Sequence, residues 1–125
     1  MSIKIDRISK RFGNFVAVDD ISLALNEGEL TALLGPSGSG KTTLLRIIAG
    51  LERPDQGRIF FHGQDTTDLP VNQRGVGFVF QHYALFKHMS VFENVAYGLT
   101  VRPRRLRPHK TQIHQHVMRL LEMVQ

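Results

Sequence analysis

The sequence predicts an α/β fold with an antiparallel β portion at its N-terminal end. Three observations carry this expectation. Apolar and polar residues alternate around Ile3 and Ile5 and again through DISLAL (20–25), as in half-buried strands. LTALL (30–34) is a nearly continuous apolar run that breaks into a glycine-rich loop and then into helical spacing. RIFFHG (58–63) and VGFVF (76–80) return to strand character after that helix.

Each element has a local reason. Asn26-Glu27-Gly28 closes the second strand with turn chemistry. LTALL, apolar on both sides, suits a strand covered on both faces, as in a parallel sheet flanked by helices. Thr42 to Gly50 places Leu44, Leu45, Ile47 and Ile48 on the sides of a helix that Gly50 terminates. Pro54-Asp55-Gln56-Gly57 supplies the next turn. Ser90 with Glu93 three residues on has capping-box spacing and opens a helix through VFENVAYGL. Pro103 and Pro108 bracket an arginine-rich stretch read as a solvated linker. Ile113, Val117, Leu120, Leu121 and Val124 then share one helical face. The expected division is a β and phosphate-loop core over 1–81 and the start of a helical subdomain over 82–125.

Composition narrows the function classes. The 125 residues contain no cysteine, which excludes a disulfide framework and thiolate metal ligands. No apolar run approaches the about 20 residues of a membrane-spanning helix, and MSIKIDRISKRF lacks a signal-peptide core, so cytoplasm is the expected compartment. The net charge of +5 lies wholly in the last fifth of the chain: residues 1–100 hold ten Lys/Arg and ten Asp/Glu, and residues 101–125 hold six against one. No aromatic interleaves those arginines to stack bases, so nucleic acid is not the expected partner. His114 and His116 diverge on a helix and cannot share a metal; with His82, His88 and His109 they read as surface residues.

Gly35-Pro36-Ser37-Gly38-Ser39-Gly40-Lys41-Thr42 satisfies G-x-x-x-x-G-K-[ST], with a strand-like run before it and a helix after. Small residues let the backbone curl so that successive N–H groups converge on phosphate oxygens. The helix that follows through Thr43 adds its own N-terminal donors. Lys41 brings a mobile cation to the β- and γ-phosphates, and the Thr42 hydroxyl is a magnesium ligand. The glycine spacing does not fit the dinucleotide fingerprint G-x-G-x-x-G.

In combination, SKRFGNFVAVDDISL (9–23), GPSGSGKTTLLRIIAGLERPDQGRI (35–59) and VGFVFQHYALFKHMSVFENVAYGL (76–99) resemble the ATP-binding subunit of ABC transporters. FHGQDTTDLPVNQRGVG (61–77) brings the likeness nearest to the ATPase subunits of sulfate/thiosulfate importers. The resemblance implies a P-loop NTPase fold of ABC type, ATP and Mg²⁺ as cofactors, and ATP hydrolysis coupled to import. It also implies a second ATPase subunit, transmembrane permease subunits, a periplasmic anion-binding protein acting indirectly, and a peripheral place on the cytoplasmic face of the inner membrane.

Residue by residue, Phe12 falls where the family stacks an aromatic on adenine, usually tyrosine or tryptophan; read alone, a phenylalanine at a strand end is more often a core residue. Gln81 matches the glutamine that approaches Mg²⁺ and the attacking water; read alone, it is a polar loop tip. Leu85, Phe86, Met89, Val91 and Phe92 suit either a partner helix or packing within their own subdomain. The family's LSGGQ-type segment, its Asp-Glu strand end and its switch histidine have no counterpart in these residues. The chain is therefore expected to be the N-terminal portion of a longer importer ATPase that binds ATP without turnover. Importers of sugars, polyamines or metals are alternatives. Other rivals are a small P-loop kinase or switch, and a nucleotide sensor whose basic tail binds anionic lipid or nucleic acid.

Overall fold

The alternation at the N-terminal end becomes a hairpin of two long strands, β1 (Ile3–Phe12) and β2 (Phe15–Leu25), joined at Gly13-Asn14. The computed structural model describes residues 2–124, which separate into two units dividing between Phe78 and Val79. In the first unit β3 (Gln56–Phe61) pairs with β1, and the two-residue β4 (Gln64–Asp65) pairs with β3. The sheet runs β2-β1-β3-β4 with every pairing antiparallel.

The buried positions of β1 are Ile5 and Ile8, three apart, which a regular strand would send to opposite faces. Arg7, at a φ of 49°, lies in a break of register between Ile5 and Ile8 that returns Ile8 to the inner face. Asp20, with a φ of 47°, marks the matching irregularity in β2. Hydroxyls take up the backbone groups disturbed there: Ser22 Oγ accepts from Arg7 N at 3.0 Å and Ser9 Oγ accepts from Asp20 N at 2.9 Å.

α1 (Lys41–Ala49) lays Leu44 and Ile47 onto a core with Ile5, Ile8, Val18, Ile59 and Phe61. It ends at Gly50, whose left-handed φ of 81° lets its N–H return to the carbonyls of Arg46 and Ile47. The helix and its stop are those the spacing predicts.

Two expected strands are absent. Residues 30–34 and 76–80 are not strands in the described structure, and the only sheet among the described residues is the antiparallel one. Leu30 is 99% exposed and Leu34 88%, the opposite of the double cover expected for LTALL. An extended segment becomes a strand only beside another whose groups match it, and the four-stranded sheet does not extend to 30–34.

In the second unit α2 (Val91–Thr100) and α3 (Lys110–Glu122) share a small core of Ala96, Ile113 and Val117, with Phe92, Leu99 and Leu121 packed against it. The Ser90–Glu93 capping box is present in full. Val124 was expected on the inner face of α3 but is 81% exposed. The arginine-rich stretch is exposed from 101 to 107 and carries local structure: Arg104–Leu106 form a 3-10 turn, and Arg107 donates from Nε and Nη2 to the Arg102 carbonyl at 3.2 and 3.1 Å. Among the described residues no helix is long and apolar enough to cross a membrane.

Candidate functional site

The loop at 35–40 leaves the exposed 30–34 segment and enters α1 at Gly40, which acts as N-cap with a φ of 84°. A Cβ there would lie 1.9 Å from the Ala17 carbonyl oxygen, so only glycine lets the loop rest against β2. The first intrahelical bond runs from Leu44 N to Gly40 O at 2.9 Å. The cap makes no side-chain hydrogen bond to the first turn, and no acidic residue sits in that turn. The N-terminal N–H groups and the positive end of the helix dipole are therefore left for an anion.

Lys41 folds back over the loop. Its ammonium donates to Gly35 O at 2.8 Å, to Ser39 Oγ at 3.0 Å and to Pro36 O. The loop is thereby wrapped around the charge that the motif assigns to phosphate. Ser37 and Gly38 lie exposed at its tip, Thr42 is exposed beside Lys41, and Thr43 is half-buried. Ser39 N closes a turn onto Pro36 O at 3.3 Å.

A cleft of about 500 Å³ opens between this loop and β2, lined by Phe15, Val16, Val18, Ile21, Leu33 and Leu34 as well as the loop itself. It joins an apolar wall to a floor of backbone donors and one cation, Lys41, and Asp19 of β2 is also on its lining. Phe12 does not line it. Phe12 sits opposite Phe15 across the hairpin, half-exposed, with the Lys10 ammonium 5.4 Å from its ring centroid.

The chain matches the ABC transporter family over residues 18–125. It belongs to that family. The sulfate/thiosulfate import ATP-binding protein CysA 2 of Shewanella oneidensis is 68% identical over all 125 residues, and the CysA of Ralstonia nicotianae 66%. The chain spans about a third of their length, 35% and 34%. A dimeric ATP-binding cassette solved in a post-hydrolysis state with ADP and Pi superposes with a TM-score of 0.83 at 29% identity, covering 97% of this chain and 56% of that one. A nucleotide-free cassette from an ABC transporter gives 0.71 at 32%, covering 93% and 46%.

Several residues that shape this ABC chain carry no motif signal. Arg74 is buried, and its guanidinium donates to Ile47 O at 2.8 Å, Ile48 O at 3.0 Å, Thr67 O at 2.7 Å and Leu69 O at 2.9 Å. It thus holds the C-terminal end of the helix whose other end forms the phosphate loop, and burial pushes its pKa down while Asp68 opposes this. Asp55 accepts from Arg11 N at 2.7 Å and from Lys10 Nζ at 3.1 Å. Those bonds, the backbone one foremost, hold its carboxyl below the usual range. Glu52 is the chief cause of a raised Lys10 pKa. This trio fastens the end of β1, next to Phe12, to the turn after α1.

Gln81 lies in the second unit, exposed in a bend. Nearby, Asn94 of α2 organises the preceding loop: Oδ1 accepts from Phe86 N at 2.9 Å, and Nδ2 donates to the carbonyls of Phe86, Met89 and Ser90. Phe92 packs inward. Leu85 and Val91 are 70% and 68% exposed, and the Phe86 ring leans on Tyr97 at 4.4 Å between centroids. His109, expected at the surface only, also caps α3 in a box with Gln112. A capping histidine is legible only once the helix start is known.

Proposed function

We propose that the chain binds MgATP as the N-terminal part of the ATPase subunit of an ABC importer for sulfate or thiosulfate. The single observation that carries this reading is the glycine loop wrapped on Lys41 at an acid-free helix start without a side-chain cap. The N–H groups of the loop and of Lys41, Thr42 and Thr43 bind the phosphates, with Gly35, Pro36, Ser37, Gly38, Ser39 and Gly40 shaping the cradle. Lys41 exchanges its loop acceptors for β- and γ-phosphate oxygens. The exposed Thr42 hydroxyl, which has no hydrogen-bond partner among the described residues, fits a magnesium ligand; family likeness alone gives Gln81 a metal-ligand role, and the ion would supply charge neutralisation to the phosphates when bound. The adenine lies against an aromatic of the β1–β2 hairpin, Phe12 by family likeness.

Hydrolysis also requires a group that polarises water and a segment that covers the γ-phosphate. Those roles belong to the LSGGQ-type and Asp-Glu segments of the longer protein and its second copy, so the 125 residues bind ATP without cleaving it. The exposed Leu85, Phe86 and Val91 suit a permease helix at the cytoplasmic face of the inner membrane, and a periplasmic protein delivers the anion. Identities of 59–68% to sulfate/thiosulfate import subunits support the choice of anion.

Titration of the chain with a fluorescent ATP analogue in Mg²⁺ tests the reading. Saturable binding is expected, weakened at least about tenfold by Lys41→Ala through loss of charge-assisted bonds. Absence of binding overturns it. ATP turnover abolished by Lys41→Ala would sink the claim that these residues cannot hydrolyse.

A further inference from the structure

Two of the six basic residues of 101–125, Arg105 and Arg107, line a cleft in the second unit that the nucleotide reading does not use. The cleft measures about 480 Å³, and Arg105, Arg107, His116 and Gln112 line it together with Leu99 and Leu106. No carboxylate lines it among the described residues. The 3-10 turn Arg104–Leu106 brings the two arginines beside the start of α3. Arg107 is oriented in advance, because two of its donors are spent on the Arg102 carbonyl. A guanidinium has five, so three remain for a ligand. Gln112 commits its carbonyl oxygen to His109 N at 3.0 Å, which leaves its amide donors available. The first turn of α3 contains no acidic residue. The polar lining thus offers donors, two of them permanent planar cations that match the geometry of phosphate and sulfate oxygens.

We propose that this cleft is an oxyanion site, binding a phosphate or sulfate group through Arg105 and Arg107 with the rest of the ligand against Leu99 and Leu106. The same group can arrive free in solution or as an anionic lipid headgroup. The site is independent of the phosphate loop and stands or falls separately from it.

The test uses the Lys41→Ala chain, so that the phosphate loop does not contribute. One arm titrates inorganic phosphate and reads amide shifts over residues 99–116 by NMR. The other measures co-sedimentation with phosphatidylglycerol vesicles against phosphatidylcholine vesicles. Arg105→Gln with Arg107→Gln should weaken binding about tenfold in whichever arm binds. Arg53→Gln with Arg58→Gln, an equal loss of charge outside the cleft, should change it less than about twofold. Arg105→Gln alone, which breaks no hydrogen bond among the described residues, should fall between. Binding of phosphate assigns a soluble ligand, and binding of vesicles alone assigns a headgroup. Equal losses in the two double variants, or no binding in either arm, overturn the proposal.

Discussion

A methyl group at Gly40 would sit 1.9 Å from the Ala17 carbonyl oxygen, inside any tolerable contact, on a backbone already at a φ of 84°. Gly40→Ala is therefore expected to lower stability by about 3 kcal/mol or more, from clash and strain together. Gly38 is the internal control: its φ is 80°, but a Cβ there meets nothing within 4 Å. Gly38→Ala should cost only the left-handed penalty, about 1–2 kcal/mol. Urea unfolding of the two variants separates a packing requirement from a conformational one. The motif names both glycines without distinguishing them. The distinction needs Ala17 of β2, 23 positions before Gly40, so no local reading of 35–42 contains it.

The capping box of α2 links sequence spacing to a pH response. Ser90 N donates to Glu93 Oε2 at 2.7 Å and Ser90 Oγ at 2.8 Å, and these bonds hold the Glu93 carboxyl below its ordinary value. A depressed pKa means stability that is present above the ordinary glutamate value and lost as pH falls through the lower folded one. Far-UV circular dichroism on acid titration should show helix loss in that window. Ser90→Ala keeps the backbone donor and loses the hydroxyl, so it should shrink that response only in part, and should cost about 1 kcal/mol at neutral pH. Arg74→Met removes four carbonyl partners from the end of α1 and the 67–69 turn, and should destabilise by about 3 kcal/mol. Arg74→Lys, with three donors on one nitrogen, should recover only part of it. Helices α1 and α2 were legible because their caps and apolar faces are local. Arg74 was not, because its acceptors on α1 come from residues 26 and 27 positions away. LTALL and VGFVF were misread for a related reason: apolar β-type residues state a capacity for pairing, and the pairing itself depends on another segment.

Across the whole molecule, large apolar side chains remain in solvent at Leu30, Leu34, Val79 and Leu85. Such surface drives association, so light scattering should rise with chain concentration. Leu30→Lys, which alters a residue outside the phosphate-loop cleft, should reduce scattering while leaving nucleotide affinity within about twofold. The contact between Gly40 and Ala17 has a consequence of another kind. The cradle keeps its shape only while β2 is in place, so occupancy of the cradle and integrity of the hairpin are thermodynamically linked. A ligand at 100 times its Kd adds about 2.7 kcal/mol against any opening that destroys its site. Amide hydrogens of β2 that exchange through such openings should then slow by about a hundredfold on nucleotide addition. Slowing of exchange at Ala17 and Val18 would report phosphate binding from strand positions in which no nucleotide motif is written.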